Sequence, residues 1–333
     1  MDPVTQGALG SVFALCKAQK KEITAAIWLG ALSGMAPDLD ILIRSSEDPM
    51  VYFEFHRHFT HSLIFIPLGA FICHFVLFRF FKRFAPNMSW KSGYLYCLLG
   101  YASHGILDAC TSYGTMLLWP FSEARIAWDV VSIIDPAFTL PIIAMIVLAR
   151  WKQTARWGIA ALAFAIVFMG FAHTQHQRAI SRLENLAVSR GHSPIRVHAK
   201  PSFANMIVYR GLYEYDGSFY VDAIRIPFWG ESKIYEGSSK MRVLPEEIYP
   251  DTTSQGYKDL KKFEWFSNGF LVRDDKNPLL INDFRYSMLP NSTQELWGVL
   301  CDPDLPDAHV QSIFQRNMNP QTLDTFKKML RGN

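Results

Sequence analysis

Residues 63–81 have the sequence LIFIPLGAFICHFVLFRFF, in which one histidine and one arginine interrupt apolar and small residues. An apolar run of about 18 to 20 residues is long enough to cross the hydrocarbon core of a bilayer as a helix. This stretch therefore predicts a transmembrane helix and indicates an integral membrane protein.

Four more apolar runs occur at 23–43, 94–107, 133–148 and 157–171, and a Gly- and Ala-rich run precedes them at 4–18. Two of them are short and interrupted by polar residues, which is typical of helices that line a cavity inside the protein. The predicted fold is mainly α. We expect about five transmembrane helices plus a short N-terminal apolar helix, together forming a membrane-embedded domain at 1–175.

The overall composition narrows the classes of function. The chain has 333 residues, of which half are hydrophobic, and its net charge of +3 is too small to indicate a nucleic-acid partner. The five cysteines form no Cys-x-x-Cys pair, which argues against a disulfide framework and against a cysteine zinc site. The first residues have no basic segment before the apolar run, so we expect no signal peptide.

The charges between the apolar runs predict an orientation. The loops after the first, third and fifth runs are basic, and basic loops face the cytoplasm. The loops at 44–61 and 108–129 carry more acidic residues and are expected to face outward. This topology predicts a multi-pass protein of the inner (plasma) membrane, whose C-terminal part is extracytoplasmic.

The C-terminal part has a different pattern. Stretches rich in Val, Ile, Tyr and Phe predict strands at 195–200, 205–215, 218–226, 270–273, 279–286 and 294–301. Asp216-Gly217 indicates a hairpin turn, and helices are expected at 176–190, at 253–266 with an Asp or Thr cap, and at 320–330. The expected structure is a soluble α+β domain at 176–333. Its aromatic Pro227-Phe228-Trp229-Gly230 belongs either to a small core or to an exposed loop that contacts the membrane.

Histidines and aspartates are concentrated at the predicted outer ends of the apolar runs. His104 and Asp108 are four residues apart, so they share one face of a helix and can bind one metal ion or form a buried hydrogen-bonded pair. His56, His58 and His61 lie within six residues, a density that favours metal binding over a proton-linked or solvated cluster, with His58 as the spare. A loop or a helix start near His61 would fit this spacing better than a straight helix.

Carboxylates occur at the predicted outer ends of two further apolar runs. Asp38 and Asp40 close an apolar run in which Pro37 predicts a helix break, and their charges need a cation, a histidine or water nearby. Asp135 precedes Pro136 and is expected to cap a helix, with the orientation of a ligand histidine as the alternative. Arg57 and Arg125 are candidates for contacting an anionic substrate group.

Several of these motifs, in this order, resemble the YdjM-type family of predicted membrane-bound metal-dependent hydrolases. They are Met1-Asp2-Pro3-Val4-Thr5-Gln6-Gly7-Ala8-Leu9-Gly10, Ala36-Pro37-Asp38-Leu39-Asp40, His56-Arg57 through Thr60-His61-Ser62, His104 to Asp108 with the segment to Ser122, and Ile133-Ile134-Asp135-Pro136. The resemblance covers about residues 1–150 and implies a membrane-bound hydrolase with a divalent metal. His58 stands where a small residue is usual, and Gln6 where some members have His, which leaves metal contact by Gln6 open.

The His-x-x-x-Asp helix is also similar to one in the zinc-dependent phospholipase C group, which implies phosphoester cleavage. The combined hypothesis is a hydrolase that uses a metal-activated water on a phosphoester or ester of a membrane lipid or lipid-linked substrate. The expected ligands of one or two ions, most plausibly zinc, are His56, His61, His104, Asp108, Asp38 and Asp40, and Asp38 or Asp40 is alternatively the general base. The other hypotheses are a transporter of metal ions or protons, and a non-catalytic envelope scaffold with a structural metal.

Overall fold

The computed structural model describes residues 1–315 and 319–333, which form two compact units. The first unit consists of Met1–Ile43, Phe55–His173 and Phe203–Asn205, and the second of Arg44–Glu54, Thr174–Ser202 and Met206–Asn333. The first unit is helical, and the second contains the β-sheets.

The helices in chain order are α1 (Pro3–Leu15), α2 (Ile23–Met35), α3 (Met50–Phe55), α4 (Ile66–Phe81), α5 (Trp90–Ala109), α6 (Pro136–Lys152), α7 (Arg156–Ser189), α8 (Pro245–Ile248), α9 (Gln255–Phe266) and α10 (Pro320–Arg331). Short 3-10 helices occur between them, two of which matter for function: Ala36–Leu42 and Phe59–His61. The strands are β1 (Arg196–Pro201), β2 (Val208–Tyr215), β3 (Ser218–Arg225), β4 (Lys233–Met241), β5 (Leu271–Arg273), β6 (Leu280–Asp283), β7 (Trp297–Leu300) and β8 (Gln311–Phe314).

Among the described residues, three helical stretches are long and apolar enough to cross a membrane: Lys20–Leu42, Leu63–Phe84 and Arg156–Ser189. The expected number of about five was too high. The runs at 94–107 and 133–148 do form helices, α5 and α6. However, α5 carries buried polar residues such as Ser103, His104 and Asp108, while α6 has only 17 residues and contains Pro141.

Glycines set the spacing between α1, α2 and α5. A Cβ atom added to Gly100 of α5 would lie 2.3 Å from the carbonyl oxygen of Gly30 in α2, and one added to Gly10 of α1 would lie 2.4 Å from the same oxygen. Small residues at such positions allow helix backbones to approach closely, which is a common way of packing helices in membranes. The position of α5 relative to α2 is therefore fixed at backbone contact.

The second unit confirms the α+β prediction. Its two antiparallel sheets have the orders β1-β2-β3-β4 and β5-β6-β7-β8. The predicted hairpin is present, with Tyr215 paired to Ser218 and positive φ angles of 48° at Asp216 and 68° at Gly217. Strands β4 and β8 were not predicted because their residues are mostly exposed and polar, so the apolar pattern of a half-buried strand is missing.

Two predicted helices need correction. The helix expected at 176–190 is the continuation of α7, which runs through 34 residues without a break. Ser254, rather than an Asp or a Thr, caps α9 by accepting a hydrogen bond from the backbone N–H of Tyr257.

The short segment Arg44–Glu54 belongs to the second unit although it lies in sequence between Asp40 and His56. Within that unit, the ring of Phe53 lies 5.5 Å from that of Phe263 and 4.8 Å from that of Phe266, measured between centroids. Glu54 pairs with Lys262 at 2.9 Å. Aromatic burial and an ion pair therefore hold this segment against α9.

Candidate metal centre

Four of the six predicted metal ligands lie together in the first unit. Asp38, His61, His104 and Asp108 each offer one ligand atom, and these atoms all lie within 4.8 Å of one another. His56 and Asp40 are adjacent but outside this group of four. The group draws on three separate parts of the chain, because His104 and Asp108 share one face of α5.

Local structure explains how each part reaches the centre. Helix α2 ends at Met35, and Asp38 lies in the 3-10 helix that follows, so the break predicted from Pro37 is confirmed. His61 lies at the end of the short 3-10 helix Phe59–His61, whereas its spacing from His56 predicted a loop or the start of a helix. A Cβ atom on Gly105 would lie 2.4 Å from the carbonyl oxygen of His61, so only glycine lets α5 and this loop come so close.

The distances between ligand atoms suit one ion. The Nε2 atoms of His61 and His104 are 2.9 Å apart, and each lies 3.4 Å from Asp38 Oδ1. Asp108 Oδ2 lies 3.3 Å from the first of these nitrogens and 3.6 Å from the second. Ligands about 2.0 to 2.1 Å from a tetrahedral zinc ion are about 3.3 Å from one another. The group therefore has the dimensions of a four-ligand N/O site.

The orientation of the two imidazoles supports the same conclusion. Nδ1 of His104 lies 2.6 Å from the carbonyl oxygen of Gly34, so it must carry a proton and donate it. Nδ1 of His61 faces the carboxylate of Asp40 at 3.2 Å. Both Nε2 atoms are thus left as acceptors that face each other, and a cation or a proton must lie between them. Hydrogen bonding of the outer nitrogen in this way is the usual arrangement of metal-bound histidine.

The surroundings of the Asp108 carboxylate also favour a bound cation. Oδ2 of Asp108 is buried and accepts no hydrogen bond within the described part of the chain, since the N–H of Arg57, 3.0 Å away, is not directed at it. The amino group of Met1 and Gln6 Nε2 contact the other oxygen of Asp108. Oδ2 of Asp108 is therefore the oxygen that is left for a cation to contact.

Asp40 organises the outer side of the centre. Its carboxylate accepts hydrogen bonds from the backbone N–H of Arg57 at 2.8 Å and from the hydroxyl of Thr60 at 3.0 Å. Nδ1 of His56 lies 2.9 Å from it as well. This carboxylate therefore orients the candidate ligand His61 and the loop that carries it. Burial lowers the pKa of His56 despite its contact with Asp40, which favours the neutral imidazole.

Burial alone would lower the pKa of His61. The nearby carboxylates of Asp108, Asp38 and Asp40 favour the charged imidazole, outweigh burial and raise the pKa to about 10. In the metal-free protein a proton therefore takes the place of the cation.

Arg57 is held inside the centre in an unusual backbone conformation. Its φ angle is +63°, in the left-handed region that non-glycine residues rarely adopt, and such strain is often found at functional sites. Its side chain is buried and reaches both Asp108 and the hydroxyl of Thr111, the latter at 3.0 Å. Arg57 thus contacts the carboxylate of Asp108, one of the four candidate ligands.

Arg125 is half-buried and lies nearby. Its guanidinium donates hydrogen bonds to the carbonyl oxygens of Gly114 and His56, at 3.0 and 3.4 Å. The guanidiniums of Arg57 and Arg125 lie 4.8 and 5.4 Å from the ring centroid of Tyr113. Two cations and an aromatic ring therefore line the space next to the metal ligands.

The remaining candidates have structural contacts. Asp135 caps α6 by accepting hydrogen bonds from the backbone N–H groups of Ala137 and Phe138, so the predicted cap is confirmed. Gln6 Nε2 donates to Asp108 Oδ1 at 2.8 Å, which orients a ligand carboxylate. His58 lies among the rings of Phe55, Phe59 and Trp119.

Two contributors were missed in the sequence. Thr60 was quoted only as part of a motif, although its position next to His61 was a usable signal. The carbonyl of Gly34 leaves no signal in the sequence, because any residue has a carbonyl and only the packing of α2 against α5 brings this one to His104.

Comparison with known proteins identifies relatives of this chain. A family model described as YdjM inner membrane protein matches residues 1–179, more than half of the chain. The uncharacterized protein YfhP of Bacillus subtilis (strain 168) is 29% identical over 147 residues, which cover 44% of this chain and 43% of YfhP. The inner membrane protein YbcI of Escherichia coli (strain K12) is 30% identical over 113 residues, which cover 32% of this chain and 61% of YbcI. The chain thus spans less than two thirds of either relative, and no solved structure matches it.

Proposed function

We propose a hydrolytic function from the premise that this chain belongs to the YdjM inner membrane protein family. It is a metal-dependent hydrolase of the inner membrane that cleaves a phosphoester or ester bond in a lipid or lipid-linked substrate at the outer face. The observation that carries this proposal is the pair of imidazoles whose Nε2 atoms face each other at 2.9 Å beside the carboxylates of Asp38 and Asp108.

Asp38, His61, His104 and Asp108 would hold the ion. Their mixed nitrogen and oxygen donors and their mutual distances favour zinc. When bound, such an ion supplies Lewis acidity and lowers the pKa of water toward neutrality. Asp40 and His56 are the nearest further donors, and they would serve a second ion if two are bound.

The protein's own groups have distinct roles in this proposal. Asp38 has a side chain that is 23% exposed, whereas those of His61, His104 and Asp108 are fully buried, so the centre opens on the side of Asp38. Asp38 is therefore the ligand that water or a substrate would reach first, and it would act as the general base only if it does not bind the ion. Arg57 holds Asp108 in place, and Arg125 beside Tyr113 is the better candidate for contacting an anionic group of the substrate.

The surroundings of Asp38 favour a lipid substrate. Leu39 and Leu42, in the same 3-10 helix, are 63% and 75% exposed. Apolar side chains exposed beside the opening of a polar site suit a molecule with an acyl or polyprenyl chain and a polar headgroup. The membrane location of the family is consistent with such a substrate.

A structural role for the metal is the second candidate. Four protein ligands complete a tetrahedral zinc site, whereas catalytic zinc usually has three protein ligands and one open position. In this case the ion would stabilise the fold of an envelope scaffold without any turnover.

The experiment uses the full chain purified in detergent or nanodiscs. Its bound metals are measured by mass spectrometry, and hydrolysis is measured on p-nitrophenyl phosphoesters, p-nitrophenyl esters and phosphatidic acid. We expect at least one transition metal per chain and turnover of one of these probes. His104→Ala and Asp108→Ala should lose both, since removing one ligand dismantles the site, while exposed His173 provides the control His173→Ala.

Three outcomes would decide between the candidates. A protein that binds no metal at neutral pH contradicts both roles. A protein that binds metal and loses stability without it, but hydrolyses none of the probes, supports the structural role. Variants His104→Ala and Asp108→Ala that keep their metal contradict a shared site.

A further inference from the structure

The loop that joins β3 to β4 exposes two aromatic side chains. Residues 226–232 connect Arg225 to Lys233, which are paired across the two strands. Trp229 lies near the middle of this loop and is 87% exposed, and its neighbour Phe228 is 40% exposed. The loop is therefore not part of the small core that its aromatic content suggested as one alternative.

Hydrogen bonds hold the base of this loop against α7. Gln175 Nε2 donates to the carbonyl oxygen of Ile226 at 3.1 Å, and Arg178 Nη1 donates to that of Pro227 at 3.1 Å. Gly230 has a φ of +90°, which glycine adopts without strain and which turns the chain sharply after Trp229. The structure thus presents the indole on a defined turn.

The attachment point lies close to the end of the apolar part of α7. The apolar run of this helix ends at Phe171, and the sequence then becomes polar, with His173, Thr174 and Gln175. Gln175 and Arg178 lie four and seven residues beyond Phe171 in one unbroken helix, which is about 6 and 10 Å along its axis. The loop is therefore attached just beyond the apolar part of α7.

We propose that Phe228 and Trp229 form an interfacial anchor that inserts into the headgroup region of the same bilayer that α7 crosses. Tryptophan is enriched at membrane–water interfaces because its ring is apolar while its N–H remains hydrogen-bonded. The cationic side chain of Arg178 lies at the base of the loop and suits lipid phosphates. This proposal depends on α7 spanning the membrane and is independent of the hydrolytic function.

The test places a nitroxide spin label at the loop in the full chain reconstituted into phospholipid nanodiscs. Trp229→Cys carries the label, and Ile195→Cys provides the matched control. Ile195 is 75% exposed and follows the end of α7 at Ser189, well beyond the attachment point. The parent chain, treated with the same reagent, gives the background from its own cysteines.

Collisions with oxygen, which concentrates in the bilayer, are compared with collisions with a water-soluble nickel chelate. We expect a higher oxygen-to-nickel ratio at position 229 than at position 195. Equal, water-like ratios at both positions overturn the proposal. A label at 229 that is immobilised and reached by neither reagent also overturns it, because it indicates that protein covers the loop.

Discussion

His104 and His61 show how hydrogen bonds outside a site decide its chemistry. Each imidazole uses Nδ1 for a partner away from the centre, the Gly34 carbonyl in one case and the Asp40 carboxylate in the other. Both rings are thereby turned so that Nε2 faces inward. Because two acceptors cannot face each other at 2.9 Å without a cation or a proton between them, the arrangement can hold either one.

The raised pKa of His61 predicts that a metal ion competes with a proton. With a pKa of about 10 in the metal-free protein, His61 is protonated at neutral pH, and a metal ion at Nε2 must displace that proton. Zinc affinity should therefore rise with pH, by up to about tenfold per pH unit between about pH 7 and 9. Calorimetric titrations in buffers of different ionisation enthalpy would measure the protons released.

The same shift affects the stability of the metal-free protein. The pKa of His61 is raised above the unfolded value of about 6.5, so its contribution is fully present below that pH and is lost as pH rises through about 10. Stability without metal should therefore fall toward alkaline pH, while stability with zinc should not. Zinc affinity that does not change with pH would contradict this account of His61.

At the scale of helices, the contact between α2 and α5 determines the geometry of the candidate centre. Helix α2 provides the Gly34 carbonyl and leads to Asp38, and α5 carries His104 and Asp108. Gly30 and Gly100 let the two backbones touch, so the 3-10 helix that follows α2 brings Asp38 to His104. The His-x-x-x-Asp spacing predicted that His104 and Asp108 share a face of α5. The spacing does not show which helix packs against this face of α5, since helix packing depends on all the helices together.

Gly100→Ala tests this contact. The added methyl group would meet the Gly30 carbonyl at 2.3 Å, so α5 must move and carry His104 and Asp108 with it. We expect a loss of about 1 to 3 kcal/mol in stability, as is usual for overpacking, together with weaker metal binding. Thermal unfolding and zinc titration would measure both.

Gly170→Ala is the matched control, because within the described part of the chain no atom beyond its own stretch of α7 lies within 4 Å of a Cβ added there. This change should be neutral or stabilise the protein by up to about 1 kcal/mol, since alanine favours a helix more than glycine does. If Gly100→Ala behaves like Gly170→Ala in both measurements, close packing of α2 and α5 does not hold the centre together.

At the scale of the whole molecule, helix α7 links the helical unit to the unit that contains the sheets. Earlier in the chain, the segment Arg44–Glu54 also belongs to the second unit, where Phe53 packs against α9. In the sequence, this segment lies between Asp40 and His56, two of the predicted ligands. The sequence contained no signal for it, because a stretch of eleven mixed residues between two clusters resembles an ordinary loop.

The charge pattern predicts that the second unit lies outside the cytoplasm. Fusions of alkaline phosphatase and of green fluorescent protein that end after Lys82 and after Arg190 would test this orientation. The fusion after Lys82 should be fluorescent and lack phosphatase activity, and the fusion after Arg190 should show the reverse, because basic loops stay in the cytoplasm. The same result at both positions would refute the orientation.

Residue patterns alone were sufficient to predict a membrane protein with a C-terminal α+β domain. They also predicted the Asp216-Gly217 hairpin, the Asp135 cap and the helix break at Pro37. Each of these depends on interactions between residues close together in the chain. Helix length and composition explain why three stretches rather than five qualify as membrane spans within the described residues, since α6 has only 17 residues and α5 is interrupted by polar residues. Only the tertiary structure separated Asp38, His61, His104 and Asp108 from Asp40 and His56. That separation depends on which helix faces the polar side chains of another, and this is settled by packing between residues far apart in sequence.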